Sequence, residues 1–149
     1  MIKKEYYSYG MFLDDTKKLV KSIKEFYDPD AIVSIARGGN TLGHFIASGL
    51  DINSLFTINS IHYNNTEKLD SFEISNIPIL ENYKKVLIVD DIIDSGETIQ
   101  EILKILTKKY PYITFKIATL FYKKSAIIEA DFTINEAKQW IEFFWEKDI

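Results

Sequence analysis

Residues 86–98, Val-Leu-Ile-Val-Asp-Asp-Ile-Ile-Asp-Ser-Gly-Glu-Thr, constrain this chain more than any other stretch. Val86 to Val89 form a short apolar run of strand-forming residues, which reads as a strand buried on both faces. Two adjacent carboxylates, Asp90 and Asp91, end it. A turn follows with a third acid, Asp94, then Ser95, Gly96 and Glu97, and Thr98 can start a helix. A buried strand that ends in acids and turns into a helix N-terminus can hold a metal and a phosphate together. Carboxylates supply hard oxygen ligands for Mg²⁺. Helix-start amides, with the Ser95 and Thr98 hydroxyls, suit a phosphate, and Gly96 lets the backbone come close to it. An acidic pair after a strand also fits a P-loop ATPase. That reading needs G-x-x-x-x-G-K-[ST] upstream, and the chain contains none.

A second strand–loop–helix unit lies upstream. Ala31 to Ala36 is another apolar strand candidate, and it runs into Arg37-Gly38-Gly39, with a helix expected from Asn40 or Thr41 to Gly49. The loop is too short for a P-loop and lacks the G-x-G-x-x-G spacing of a dinucleotide fold. Two glycines still let amides face an anion, and Arg37 adds a fixed cationic fork. Arg37 is the sole arginine beside seventeen lysines; codon bias accounts for such a skew, and on that account Arg37 stands where lysine does not serve.

The remaining pattern completes an α/β alternation. A short strand is expected at 6–9 and a helix from Phe12 to Tyr27, closed by Asp28-Pro29. Further strands are expected at Ser54–Ile61, Ile113–Tyr122 and Phe132–Ile134, with a helix from Thr98 to about Lys109. His62 to Tyr83 reads as a polar loop of about twenty residues, a length that within a compact domain is usually functional or disordered. His62 has only His44 for company, which speaks for a surface or loop residue rather than a metal ligand. Strands alternating with helices imply a parallel sheet with ligands at the carboxyl ends of the strands, where Arg37, Asp90, Asp91 and Lys123 all fall. At 149 residues and 46% hydrophobic content the chain, 1–149, forms a single domain with a sizeable core. It has no cysteine, no apolar run of the ~20 residues that span a membrane, and no signal-peptide core, so the cytoplasm is the expected compartment. A net charge of −4 argues against a nucleic-acid partner.

Residues 86–98 resemble the phosphoribosyl-pyrophosphate (PRPP) motif of the type I phosphoribosyltransferases at every position. Arg37-Gly38-Gly39 is similar to the pyrophosphate loop of that family's purine branch. Phe121-Tyr122-Lys123 and Trp140-Ile141-Glu142 resemble segments of the bacterial xanthine–guanine phosphoribosyltransferases, although Lys124 and Phe144 stand where those enzymes have proline. The resemblance implies a type I phosphoribosyltransferase fold: a central, mainly parallel sheet flanked by helices, a small hood from the chain ends (about 132–149) and a mobile lid at about 62–83. It implies a Mg²⁺-dependent enzyme that joins PRPP to a 6-oxopurine, working as a homodimer or homotetramer. Asp90 and Asp91 would hold the ribose hydroxyls, directly or through the metal, and Asp94 would be the proton partner of the base. Ser95, Gly96, Glu97 and Thr98 would cradle the 5′-phosphate, while Arg37, Gly38 and Gly39 would take pyrophosphate. Lys123, Trp140 and Ile141 would bind the base. The residue types suit those roles, since an indole face stacks on a flat base and an ammonium donates to a 6-oxo group but not to a 6-amino one. A PRPP- or purine-sensing regulator on the same fold, or a transferase for a non-purine acceptor, are the alternatives.

Overall fold

The computed structural model describes residues 3–63 and 71–149. The apolar runs lie at the centre of a six-stranded sheet of order β4-β3-β2-β5-β6-β7. Here β2 is Ala31–Ala36, β3 Leu55–Tyr63, β4 Ser71–Ser75, β5 Lys85–Ile93, β6 Thr114–Tyr122 and β7 Asn135–Glu136. All pairs are parallel except β3 with β4. Alternation along the strands explains the continuous apolar runs. Ile32, Leu87 and Val89 pack into one layer, while Val33, Val86 and Ile88 pack into the other. Helices α1 (Tyr9–Phe26) and α2 (Gly38–Leu50) cover the first face through Phe12, Leu19, Ile23, Leu42 and Ile46. Helix α3 (Glu97–Lys109) covers the second through Ile99, Ile102 and Leu106.

The chain ends form the hood. Strand β1 (Lys4–Tyr7) pairs in parallel with β8 (Trp140–Phe143) as a separate two-stranded sheet. It is seated by edge-to-face rings, Tyr7 against Phe121 at 4.9 Å and against Phe143 at 5.8 Å. Phe144 packs on Tyr9 and Phe12 at 5.5 and 5.4 Å, which ties the tail to the first turn of α1. The buried Tyr7 hydroxyl donates to Asp15 Oδ2 at 2.6 Å, and Asn135 Nδ2 donates to the same oxygen at 2.8 Å. Burial, with the Asp15 carboxylate beside it, pushes the Tyr7 pKa far up, so the phenol stays a donor. Asp15→Ala removes the short acceptor of both donors, leaving Tyr7 only the Met11 carbonyl at 3.5 Å and Asn135 only the Leu120 carbonyl at 3.4 Å, and is expected to lower stability by ~1–3 kcal/mol in urea unfolding. A change within experimental error would show that water replaces the carboxylate at no cost.

Several boundaries differ from the sequence expectations. Strand β1 begins at Lys4 rather than residue 6, and α1 begins at Tyr9 because Ser8 caps it, its Oγ accepting from the Met11 amide at 3.1 Å. Helix α2 begins at Gly38, inside the expected loop. Phe132 makes only a bridge to Ala118, and the ladder proper is β7. The polar stretch 62–83 is in part strand. β3 runs through His62 and Tyr63 and pairs with β4, where the His62 and Phe72 rings stack at 4.7 Å. Farther on, Leu80 is buried and its amide donates to the Tyr110 hydroxyl at 3.0 Å. The middle of the expected lid, 64–70, lies outside the described residues. Among the described residues no helix is long and apolar enough to cross a membrane.

Candidate active site

The carboxyl ends of β2, β5 and β6 and the hood surround one recess. Asp90 and Asp91 close β5 and use the local backbone to orient themselves. Asp90 Oδ1 accepts from the Asp91 amide at 2.9 Å, and Asp91 Oδ1 accepts from the Ile92 amide at 2.8 Å. Burial pushes both carboxyls above the usual range, and the Asp91 charge pushes Asp90 further. The pair therefore gains from any cation brought to it. Among the described residues no three acidic or histidine side chains group closely enough to ligate a metal by themselves. Two hard carboxylates fit a divalent cation that keeps waters and takes the rest of its ligands from a substrate.

The turn at 37–39 is built against this pair. The Ala36–Arg37 peptide is cis. A Cβ on Gly38 would overlap the Asp91 carboxylate, and one on Gly39 would overlap the Val89 carbonyl oxygen. Only glycines let α2 start this close to the end of β5. Arg37 is exposed beside them.

The turn from Asp94 to Thr98 leads into α3. Gly96 caps the helix with φ +87°, a left-handed conformation that favours glycine. A Cβ there would also meet Ile128 Cγ2 at 2.8 Å. Ser95 Oγ accepts from the Glu97 amide at 3.2 Å, and Ser95 O accepts from the Ile127 amide at 2.9 Å. The segment after β6 thus braces the turn. First-turn amides of a helix have no intrahelical acceptors, which makes the turn suited to an anion.

Asp94 and Lys123 meet, with Lys123 Nζ 2.5 Å from Asp94 Oδ1. The Lys123 amide donates to Ile93 O at 2.9 Å, which fixes the backbone under the pair. Lys124 points instead to Glu136, 3.8 Å away. Across from Asp94 and Lys123 stands Trp140, 57% exposed although the surrounding tail is aromatic and apolar. These three line a cavity of about 690 Å³ together with Asp91, Ile141 and Glu146. A second cavity of about 820 Å³ continues over the turn at 37–39, and Asp91, Trp140 and Glu146 line both. Of the residues expected at the site from sequence, Arg37, Gly38, Asp91, Asp94, Lys123, Trp140 and Ile141 line these two cavities, Gly39 is buried, and Asp90 and the turn from Ser95 to Thr98 line neither.

Glu146 is a site residue that sequence reasoning missed. Burial, then the Asp91 and Glu142 charges, push its carboxyl up. It directly follows Trp145 at the end of the aromatic run, but nothing local signals that it faces Asp91.

A family model described as "Phosphoribosyl transferase domain" matches residues 4–148. The xanthine-guanine phosphoribosyltransferase of Cereibacter sphaeroides is 34% identical over 120 residues, covering 78% of this chain and 68% of that protein. The solved Helicobacter pylori xanthine-guanine-hypoxanthine phosphoribosyltransferase superposes with a TM-score of 0.90 at 40% identity, covering 97% of this chain and 94% of that one. The purine phosphoribosyltransferase from Pyrococcus horikoshii Ot3 superposes with a TM-score of 0.84 at 29% identity, covering 98% and 95%.

Proposed function

The chain belongs to the phosphoribosyl transferase family, and from that premise we propose that it transfers phosphoribose from PRPP to a 6-oxopurine, releasing pyrophosphate and a purine nucleoside monophosphate. The observation that carries this reading is the placement of Asp94 and Lys123 opposite an exposed Trp140 across one cavity. An acid, an ammonium donor and a stacking ring are what a flat base with a ring proton and a 6-oxo group requires. Guanine, xanthine and hypoxanthine all present that edge.

Each part of the site then has a task. Trp140 and Ile141 seat the base. Lys123 leaves Asp94 and donates to the purine O6. Asp94, freed of its partner, accepts the N7 proton as N9 bonds to the ribose C1 and the C1–O bond to pyrophosphate breaks. Ser95 to Thr98 hold the 5′-phosphate, and Arg37 with the amides of Gly38 and Gly39 holds the pyrophosphate. Positive charge grows on the ribose as the C1–O bond stretches, so the carboxylates of Asp90 and Asp91 stabilise it as they hold the ribose hydroxyls. Asp90 and Asp91 would hold a Mg²⁺ ion, whose charge would help neutralise the departing pyrophosphate. A lid at about 62–83, assembly as two or four copies, and work in the cytoplasm belong to the same proposal.

The test is pyrophosphate release from PRPP and Mg²⁺ with guanine, xanthine, hypoxanthine, adenine, orotate and nicotinate supplied singly. Release with 6-oxopurines alone is the expected result, and release only with orotate or nicotinate would overturn the base assignment. PRPP binding without release on any base would favour a regulator. In the same assay Trp140→Ala is expected to raise the KM for the base roughly tenfold, since stacking on an aromatic ring contributes ~1–3 kcal/mol per base. An unchanged KM would remove Trp140 from the base site.

A further inference from the structure

The cavity over the turn at 37–39 must receive pyrophosphate if the reading above is right, yet its walls are rich in acid. Asp91, Glu142, Glu146 and Asp148 all line it, and the sheet end supplies Arg37 as its one cation. The remaining cations on its wall, Lys4 and Lys147, come from the hood. Lys147 follows the last strand and stands between Glu146 and Asp148 in the chain. Lys4 is held differently. It sits in β1, in register with Trp140 of β8. Side chains two apart along a strand share a face, so the parallel register puts Lys4, Trp140 and Glu142 on one face of the hood. That face borders the cavity, while Tyr7, Ile141 and Phe143 are buried. Among the described residues Lys4 makes no ion pair.

We propose that Lys4 is a pyrophosphate-binding residue, carried by the N-terminal strand to the wall of the cavity that Arg37 also lines. This inference deepens the transferase reading and rests on it. The two groups grip the pyrophosphate from two separately anchored parts of the fold, one from the sheet and one from the hood. A single ladder register then presents a stacking ring for the base and an ammonium for the leaving group.

The experiment pairs Lys4→Met with Lys4→Arg. Inorganic pyrophosphate with Mg²⁺ is titrated calorimetrically, and KM is measured for PRPP and for the base. Lys4→Met is expected to raise the pyrophosphate Kd and the PRPP KM roughly three- to tenfold, below the usual range for a charge-assisted contact because the side chain is exposed. Base KM and Tm should stay at wild-type values. Lys4→Arg should restore most of the loss, and raising the salt should narrow the gap between variants. Unchanged pyrophosphate Kd and PRPP KM in Lys4→Met would overturn the proposal. So would a rise in base KM in step with PRPP KM that Lys4→Arg does not rescue, since that pattern marks Lys4 as a support for the hood. If the wild-type protein releases no pyrophosphate with any base, the transferase reading fails, and the pyrophosphate titration still decides the role of Lys4.

Discussion

Asp94→Asn is expected to lower turnover roughly 10²–10⁴-fold, the usual range for loss of a positioned general base. The PRPP KM should change far less, because the proton leaves the base and not the sugar. Two features of the site sharpen that expectation. The Asp94 side chain is 66% exposed and Lys123 41%, so their ion pair contributes ~0–1 kcal/mol to the fold and its loss does not unfold the protein. The substitution keeps the shape of the side chain and removes both its basicity and its hold on Lys123. Lys123 is then free to meet the purine O6, so the KM for the base should fall or stay level while kcat collapses. Steady-state kinetics on both substrates reads this split. A loss expressed equally in PRPP binding would assign Asp94 to the ribose instead.

Gly39→Ala is expected to be the more damaging of the two alanine substitutions in the Gly38-Gly39 pair. The added Cβ would overlap the Val89 carbonyl oxygen and come within 3.1 Å of the Asp90 Cα. Both atoms are backbone of β5, a central strand paired on both sides, so neither can give way. Overpacking of a rigid site costs ~1–3 kcal/mol and occasionally more, a large part of the ~5–15 kcal/mol that holds a domain together. We expect the top of that range, read as a drop in the urea midpoint, together with weak activity because α2 and the turn at 37–39 are pushed off β5. Gly38→Ala is the contrast. There the new methyl meets the side chain of Asp91, which can swing away. Its effect should appear mainly in the PRPP KM, with a smaller loss of stability. Equal stability losses in the two variants would show that Asp91 is as immobile as the strand behind it.

What the sequence by itself determined is what each segment needs locally. Apolar runs bounded by Asp90 and by Arg37 read as buried strands, and the glycines at 38, 39 and 96 mark places where backbone passes close to other atoms. The alternation of strands and helices then placed Arg37, Asp90, Asp91 and Lys123 at one edge of a parallel sheet. These signals are legible because they depend on neighbours in the chain. The strand formed by His62 and Tyr63 escaped because its polar residues on an edge hairpin lack the apolar pattern of a buried strand.

Only the tertiary structure decided how distant segments meet. It brought Lys123 onto Asp94, turned Glu146 toward Asp91, and set Lys4 beside Trp140 through a pairing of the two chain ends. It also left Trp140 exposed within an aromatic tail whose other members are at least partly buried. Composition makes all those aromatics equal candidates for the core. The strand alternation of β8, pinned by its ladder with β1, sends Ile141 and Phe143 inward and Trp140 outward. Local pattern cannot supply that register, because it is set by which strand becomes the partner.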